Sequence, residues 1–392
     1  MDTLHTVLNR GCSIWDRTRM PQEELGRRLE KVRTGMKERN IDLLLVYGDS
    51  WKFGNLAYVS HFIPKNRGAM AVIPLEGAPA LVIQEPSRNN PFSSTLTWIE
   101  ETRSVGKFAQ GVSEALKARG LKAKKVGMVG VEEQLNIREW RELDKLFEGA
   151  ERINFNDYLS SLRLVKSPVE LSRVKETVQI LEEAVNRFEK AARPGCKEYE
   201  VMAEIERVAR RRGVEDFRLL IARSGTPGIG LRPVADATLE KGEVLLVLVA
   251  ASFQRYWAEM GQTFCLGQPP EEATKSHTMV REIFQRLVDS TKAGAAAAAA
   301  ARNTLQQVNS AAARQSLQAY GLGNGLGLDL CEAPYLGKDG SATIQPGMIL
   351  TLRSCLTGSE AGSGLISRPF LVTESGLEPL ARSQGDLIAI GD

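Results

Sequence analysis

An α/β layer domain over residues 1–160 followed by an α+β domain over residues 161–392 is the fold class that this sequence predicts. Three observations carry that expectation. The 392 residues suffice for one small and one large domain, each with its own core. Up to about residue 160, segments of helical periodicity alternate with short apolar runs. Beyond Leu162 the order helix, helix, strand, strand occurs twice.

Along residues 21–40, Leu25, Leu29, Val32 and Met36 recur at helical spacing, and the apolar run 41–46 follows as a buried strand. Residues 69–74 and 80–83 read as further strands, 105–119 as a helix and 125–129 as a strand. In RLVKSPVELSRVKE, Ser167 is an N-cap, Pro168 occupies the first helical position and Glu170 closes a capping box, so a long helix runs toward Lys190. A second helix over 199–212 precedes strands at 217–222, 244–250 and 261–266. Helices at 274–292 and 295–320 then lead to strands near Leu326, at 349–353 and at 370–373. The alanine run 295–301 simply extends a helix, alanine being the strongest helix former.

Composition excludes several functions. Lys and Arg total 51 against 48 Asp and Glu, a net charge of +3 spread along the chain, and Arg210, Arg211 and Arg212 read as a solvated helix end; this is no nucleic-acid footprint. Cys12, Cys196, Cys265, Cys331 and Cys355 form no C-x-x-C pair, as expected of reduced thiols in a cytoplasmic protein. The first residues lack an apolar signal core, and no apolar run reaches the roughly 18 residues of a membrane span. A soluble cytoplasmic protein without membrane or nucleic-acid partners is expected.

The segment GLGNGLGLDLCEAPYLG, from Gly321 to Gly337, interleaves glycine with leucine. A flexible linker would not carry Leu322, Leu326, Leu328 and Leu330, and a dinucleotide loop should follow a strand and open a helix. It reads instead as a strand that lets another backbone approach closely. This segment, with MPQEELGRRLEKVRTGMKERNIDLLLVYGD, NLAYVSHFIP, LRLVKSPVEL, RYWAEMGQTF, QPGMILTL and FLVTESGLEPL, resembles the creatinase, prolidase and aminopeptidase P family from Met20 to the end. The resemblance implies a pita-bread C-terminal domain with pseudo-twofold repeats, commonly in a homodimer. It also implies a site in which two aspartates, one histidine and two glutamates hold two divalent ions, with two further histidines nearby.

Carried over position by position, those residues are replaced. The aspartates fall at Leu248 and Glu259, the ligand histidine at Asn324 and the glutamates at Arg353 and Ser367, with Arg368 adjacent. The histidine before the acid and proline falls at Cys331, and the other at Leu231 or its neighbour Arg232. Divalent ions need oxygen or imidazole donors and reject a permanent cation, so no metal and no cofactor are expected. Cys331 and Glu332 make only a fragment of a zinc site, and His5, His61 and His277 supply no tetrahedral spacing.

Two readings attach to each remaining residue. Glu259 is a general base, or the salt-bridge partner of Arg353 in the space the metals vacate. Arg353 and Arg368 grip a substrate carboxylate together, or satisfy local acids and carbonyls. Cys331 is a nucleophile or a buried thiol, and Asn324 an oxyanion donor or a cap on the glycine turn. Glu332 supports the site from behind, Tyr256 and Trp257 pack the strand or line the mouth, and Arg232 joins the substrate-binding set. His61, with Phe62, Lys65 and Arg67 beside it, sits on a polar loop in the region that resembles the segment projected into the partner subunit of creatinase-type dimers. Together these define the expected function: a metal-independent, creatinase-like hydrolase or lyase acting on a small carboxylate-bearing amide, amidine or guanidino compound, with Glu259 and His61 catalytic. A noncatalytic pseudo-peptidase that binds a peptide or amino-acid-like ligand, and an Xaa-Pro peptidase with an atypical site, are the alternatives.

Overall fold

The computed structural model describes residues 13–226, 229–337, 342–358 and 362–391, so His5 and Cys12 lie outside the described residues. The chain divides into two compact units, Met1–Arg163 and Leu164–Asp392.

In the first unit, the helix Gln22–Glu38 buries Leu25, Leu29, Val32 and Met36, the stripe that its sequence periodicity marks. The six-stranded sheet runs in the order Glu101–Val105, Ala80–Gln84, Gly68–Pro74, Leu43–Asp49, Lys125–Val129, Glu151–Asn154. Its centre is an antiparallel meander, and both flanks add parallel strands. The strands Glu101–Val105 and Glu151–Asn154 are absent from the sequence reading, because both are half exposed and polar. The helix expected from residue 105 starts at Phe108.

The second unit opens with the helix Pro168–Ala191, whose capping box of Ser167 and Glu170 is formed as the sequence indicates. Its ten-stranded sheet runs Glu332–Leu336, Gly323–Gly325, Ile349–Leu356, Gly364–Thr373, Tyr256–Leu266, Val244–Phe253, Asp216–Arg223, Arg232–Pro233, with Gly376–Pro379 and Ile388–Ile390 attached beside the path. The helix expected over 295–320 is two helices, Ala297–Gln306 and Ala311–Tyr320. Ser310 causes the break: its side chain caps the second helix by accepting from the Ala313 N–H at 3.2 Å. Helix Glu271–Ser290 and its neighbours pack Val280, Ile283 and Leu287 against Leu350, Leu352, Ile366 and Val372. Among the described residues, no helix is long and apolar enough to cross a membrane.

Glycine is required in the opening stretch of the Gly321–Gly337 segment. Gly323 has φ of +151°, and a Cβ there would run into the Thr351 carbonyl, while one at Gly325 would run into the Ala333 carbonyl. The backbone of the short strand is wedged between two neighbours, which is the close approach that its composition implies.

Candidate functional site

Strand register gathers most of the substituted positions on one sheet face. Arg353 pairs with Ser367, Ser367 with Gly261, and Gly261 with Leu248. Side chains alternate along a strand, so Glu259, two residues from Gly261, shares that face. Asn324 pairs with Thr351 and joins it. A Cβ at Gly261 would collide with Leu365 and Ser367, so glycine lets the two strand pairs close here.

The centre of this face is a buried ion pair. Arg353 Nη2 and Nε donate to Glu259 Oε1 at 2.5 and 3.1 Å, and Ser367 Oγ donates to the same oxygen at 2.8 Å. The remaining guanidinium nitrogen, Nη1, donates to the Tyr320 carbonyl at 2.9 Å. Burial pulls the Arg353 guanidinium down, the Glu259 carboxylate pushes it up by more, and the net direction is upward. The arginine therefore stays charged. Beside the pair, Leu248 and Leu231 pack with Tyr320 against Ala222, Leu246, Cys265, Cys355 and Leu365. Burial in that cluster pushes the Cys355 thiol up to about 12.

This donor set does not fit the pair of divalent ions that the resemblance implies. Leu248 and Leu231 have no lone pairs to offer, and the guanidinium of Arg353 stands where a carboxylate would be needed. Asn324 spends its amide nitrogen on the carbonyls of Gly325 and Leu330, at 2.8 and 3.1 Å. Among the described residues, no group of three or more His, Cys, Asp or Glu is arranged to hold a metal.

Cys331 sits at the rim, with Sγ 3.7 Å from Asn324 Oδ1. Desolvation of the sulfur, and after it the charge of Glu259, raises the thiol above its ordinary value. A raised thiol pKa means less thiolate at neutral pH, the reverse of nucleophile activation. Among the described cysteines it is the exposed one. Iodoacetamide is therefore expected to label Cys331 slowly at pH 7 and progressively faster above pH 9, which peptide mass mapping across a pH series checks. Rapid labelling at pH 7 would show an activated thiol. Glu332 is tied to the buried Lys166 Nζ at 2.6 Å, behind the site.

Several expected site residues stand elsewhere. Arg368 pairs with Leu352, one residue out of phase with Ser367, so it points to the opposite face. There it donates to the carbonyls of Gly261, Ser367 and Ser383 and, at 2.5 Å, to Gln262 Oε1; burial pushes its pKa down to about 10. The joint grip of Arg353 and Arg368 on one carboxylate is therefore not formed. Arg232 is held by Glu198 through two contacts at 2.7 Å, in a network that also contains Arg223 and Glu243. Tyr256 is fully buried against helix Pro168–Ala191, its hydroxyl donating to Glu170 at 3.1 Å, and lines no mouth. In the first unit His61 is fully buried, not on an exposed polar loop. It closes the helix Gly54–Ser60 in left-handed conformation, φ 57°, and the apolar run through Phe62 and Ile63 carries the segment inside. Lys65 is buried as well, 3.2 Å from Ser93 Oγ, whereas Arg67 is exposed at a surface cavity with Tyr47, Asp49 and Glu139.

One residue on the site face is missing from the sequence reading: Arg218, which lies over the ring of Trp257 at 4.6 Å. A single arginine inside the strand Asp216–Arg223 gives no sign of which strand lies beside it.

Comparison with known proteins agrees with this architecture. A family model described as metallopeptidase family M24 matches residues 172–374, and one for the creatinase/prolidase N-terminal domain matches residues 28–165. The Xaa-Pro dipeptidase of Pyrococcus horikoshii is 23% identical over 376 residues, covering 93% of this chain and 99% of its own. That of Pyrococcus furiosus is 23% identical over 65% of this chain and 70% of its own. Among solved structures, the Pyrococcus horikoshii prolidase matches with a TM-score of 0.77 at 22% identity, over 92% of this chain and all of that one. The X-Pro aminopeptidase of Thermotoga maritima matches with a TM-score of 0.80 at 20% identity, over 92% and 99% of the two chains. The fold is thus a creatinase-type N-terminal domain followed by a pita-bread domain.

Proposed function

This chain belongs to metallopeptidase family M24, and from that premise we propose that it is a metal-free pseudo-peptidase, a binding module that keeps the peptidase fold and takes a small peptide or amino-acid-like ligand. The observation that carries the reading is the Arg353, Glu259 and Ser367 cluster. Three hydrogen bonds converge on one oxygen of Glu259, two of them from Arg353, so this acid serves as the counter-ion of the arginine at the centre of the face. Nor does any neighbouring group supply what a bound metal supplies, a water acidified into the neutral range.

The curated relatives favour a second reading, cleavage of Xaa-Pro dipeptides. Incubating the purified protein with the dipeptide Ala-Pro, with and without added manganese and a chelator, separates the two. No proline release in any condition, and no stoichiometric manganese, zinc or cobalt by elemental analysis, is expected. Manganese-dependent release would establish the second reading. Release that survives chelation would instead favour a metal-independent hydrolase with Glu259 as its base.

A further inference from the structure

Arg218 occupies the same sheet face as Glu259, one strand beyond the hairpin. In register it pairs with Ala250, and Ala250 with Glu259; the adjacent row is Asp216, Ser252, Trp257. Two strand spacings put Arg218 and Glu259 on the order of 10 Å apart at the backbone. The intervening Ala250 and Ser252 are short, so the arginine reaches across them and lays its guanidinium over the indole of Trp257. Trp257 is buried and its backbone N–H donates to the Gly327 carbonyl at 2.8 Å, so the platform is fixed to the strand and to the glycine-rich segment. The charge of Arg218 also reaches the thiol of Cys331, on the same side of the sheet.

Among the arginines on the strands of this sheet, Arg218 differs in what it leaves available. The forks of Arg353, Arg368 and Arg223 are filled by buried acceptors. Arg218 has one long hydrogen bond, 3.3 Å to Asp216 Oδ2, and its side chain is 42% exposed. A partly exposed guanidinium resting over an aromatic ring can offer a pair of N–H groups to two coplanar oxygens. The neighbouring Arg353 and Glu259 neutralise each other, and Asp216, 3.3 Å away, is the counter-ion of Arg218, so a ligand carboxylate would take the donors that Asp216 leaves.

We propose that Arg218, presented on Trp257, is the carboxylate-recognising group of this chain and binds a small carboxylate ligand whose body lies toward the Glu259 and Arg353 pair. The inference rests on the binding-module reading and gives it a ligand class. The carboxylate can belong to the C-terminus of a short peptide or to a free amino acid.

Calorimetric titration with Ala-Pro, its C-terminal amide and free proline tests it, using the unmodified protein, Arg218→Gln and Arg218→Lys. The unmodified protein is expected to prefer the acid over the amide by roughly 10- to 100-fold, the value of a charge-assisted hydrogen-bond pair. Arg218→Gln should bind acid and amide alike while still folding cooperatively, its melting temperature falling by no more than a few degrees, and Arg218→Lys should recover part of the preference. Free proline matching Ala-Pro would identify the amino acid as the source; Ala-Pro alone binding would identify the peptide. Arg218→Gln keeping the acid preference, or no binding of any probe to the unmodified protein at millimolar concentration, would overturn the proposal. Turnover of Ala-Pro would overturn the noncatalytic reading alone, because the acid preference would still be read in KM.

Discussion

Arg353→Ala is expected to destabilise the protein by about 3–5 kcal/mol, the usual result of stranding one member of a buried ion pair. Glu259 is buried, and the loss removes two of the three donors to its Oε1, leaving Ser367 alone. The Tyr320 carbonyl loses its donor in the same step. For a domain of this size the loss corresponds to a fall of about 10 °C in melting temperature. Glu259→Gln should behave similarly, because it leaves the guanidinium without a counter-charge. The double variant Glu259→Leu, Arg353→Met should recover most of the stability, since apolar groups of similar volume replace a buried pair at little net cost. Urea denaturation of the three variants measures this. If Arg353→Ala lay within about 1 kcal/mol of the unmodified protein, the pair would not be the structural centre of the site.

A comparable loss is expected from Glu215→Ala, for a reason that lies at the end of the long hairpin. The turn between Val244–Phe253 and Tyr256–Leu266 places Gln254 and Arg255 at φ of 49° and 73°. Two-residue turns of this kind normally use Asn and Gly, because other side chains are strained in left-handed conformation by about 1–2 kcal/mol each. Glu215 holds the strained turn: it accepts from the Arg255 N–H at 3.2 Å and from Nη1 at 2.6 Å, and both side chains are buried. Removing the carboxylate leaves a buried cation and an unsupported turn, an expected cost of about 3–5 kcal/mol. Arg255→Gly on that background should restore part of it, as it removes both the charge and the strain. Chemical denaturation that finds the double variant no more stable than Glu215→Ala would contradict this account.

What the sequence reveals follows from how local each signal is. The capping box at Ser167 and the apolar stripe of Gln22–Glu38 need only neighbouring residues, and both are found where periodicity and spacing place them. The split at Ser310 is also local, but the alanine-rich surroundings hide it. In the site, spacing marks candidate positions but not their partners. Arg353 and Arg368 stand 15 residues apart in the sequence. Whether they share a face depends on parity across the connection between their strands, and a shift of one residue reverses the answer. Arg353 faces Ser367, and Arg368 is therefore turned away. Arg218 and Trp257 meet across an intervening strand, which nothing in either segment indicates. His61 misleads for a related reason: the polar residues around it suggest a surface, but the flanking apolar side chains decide its burial.

The sharing of one Glu259 oxygen by Arg353 and Ser367 also governs how metal-ligating residues could be introduced here. Arg353→Glu alone would set a second carboxylate beside the first in a buried site, where like charges at about 4 Å repel by about 4 kcal/mol at an effective dielectric of 20. Leu248→Asp alone would bury an unpaired acid against Leu231, Cys265 and Leu365. Each step toward a metal-binding site is unfavourable until the others and a dication are present, so the coupling among them is strongly non-additive. A mutational path toward a dinuclear centre must cross less stable intermediates, and the ion pair works as a barrier along it.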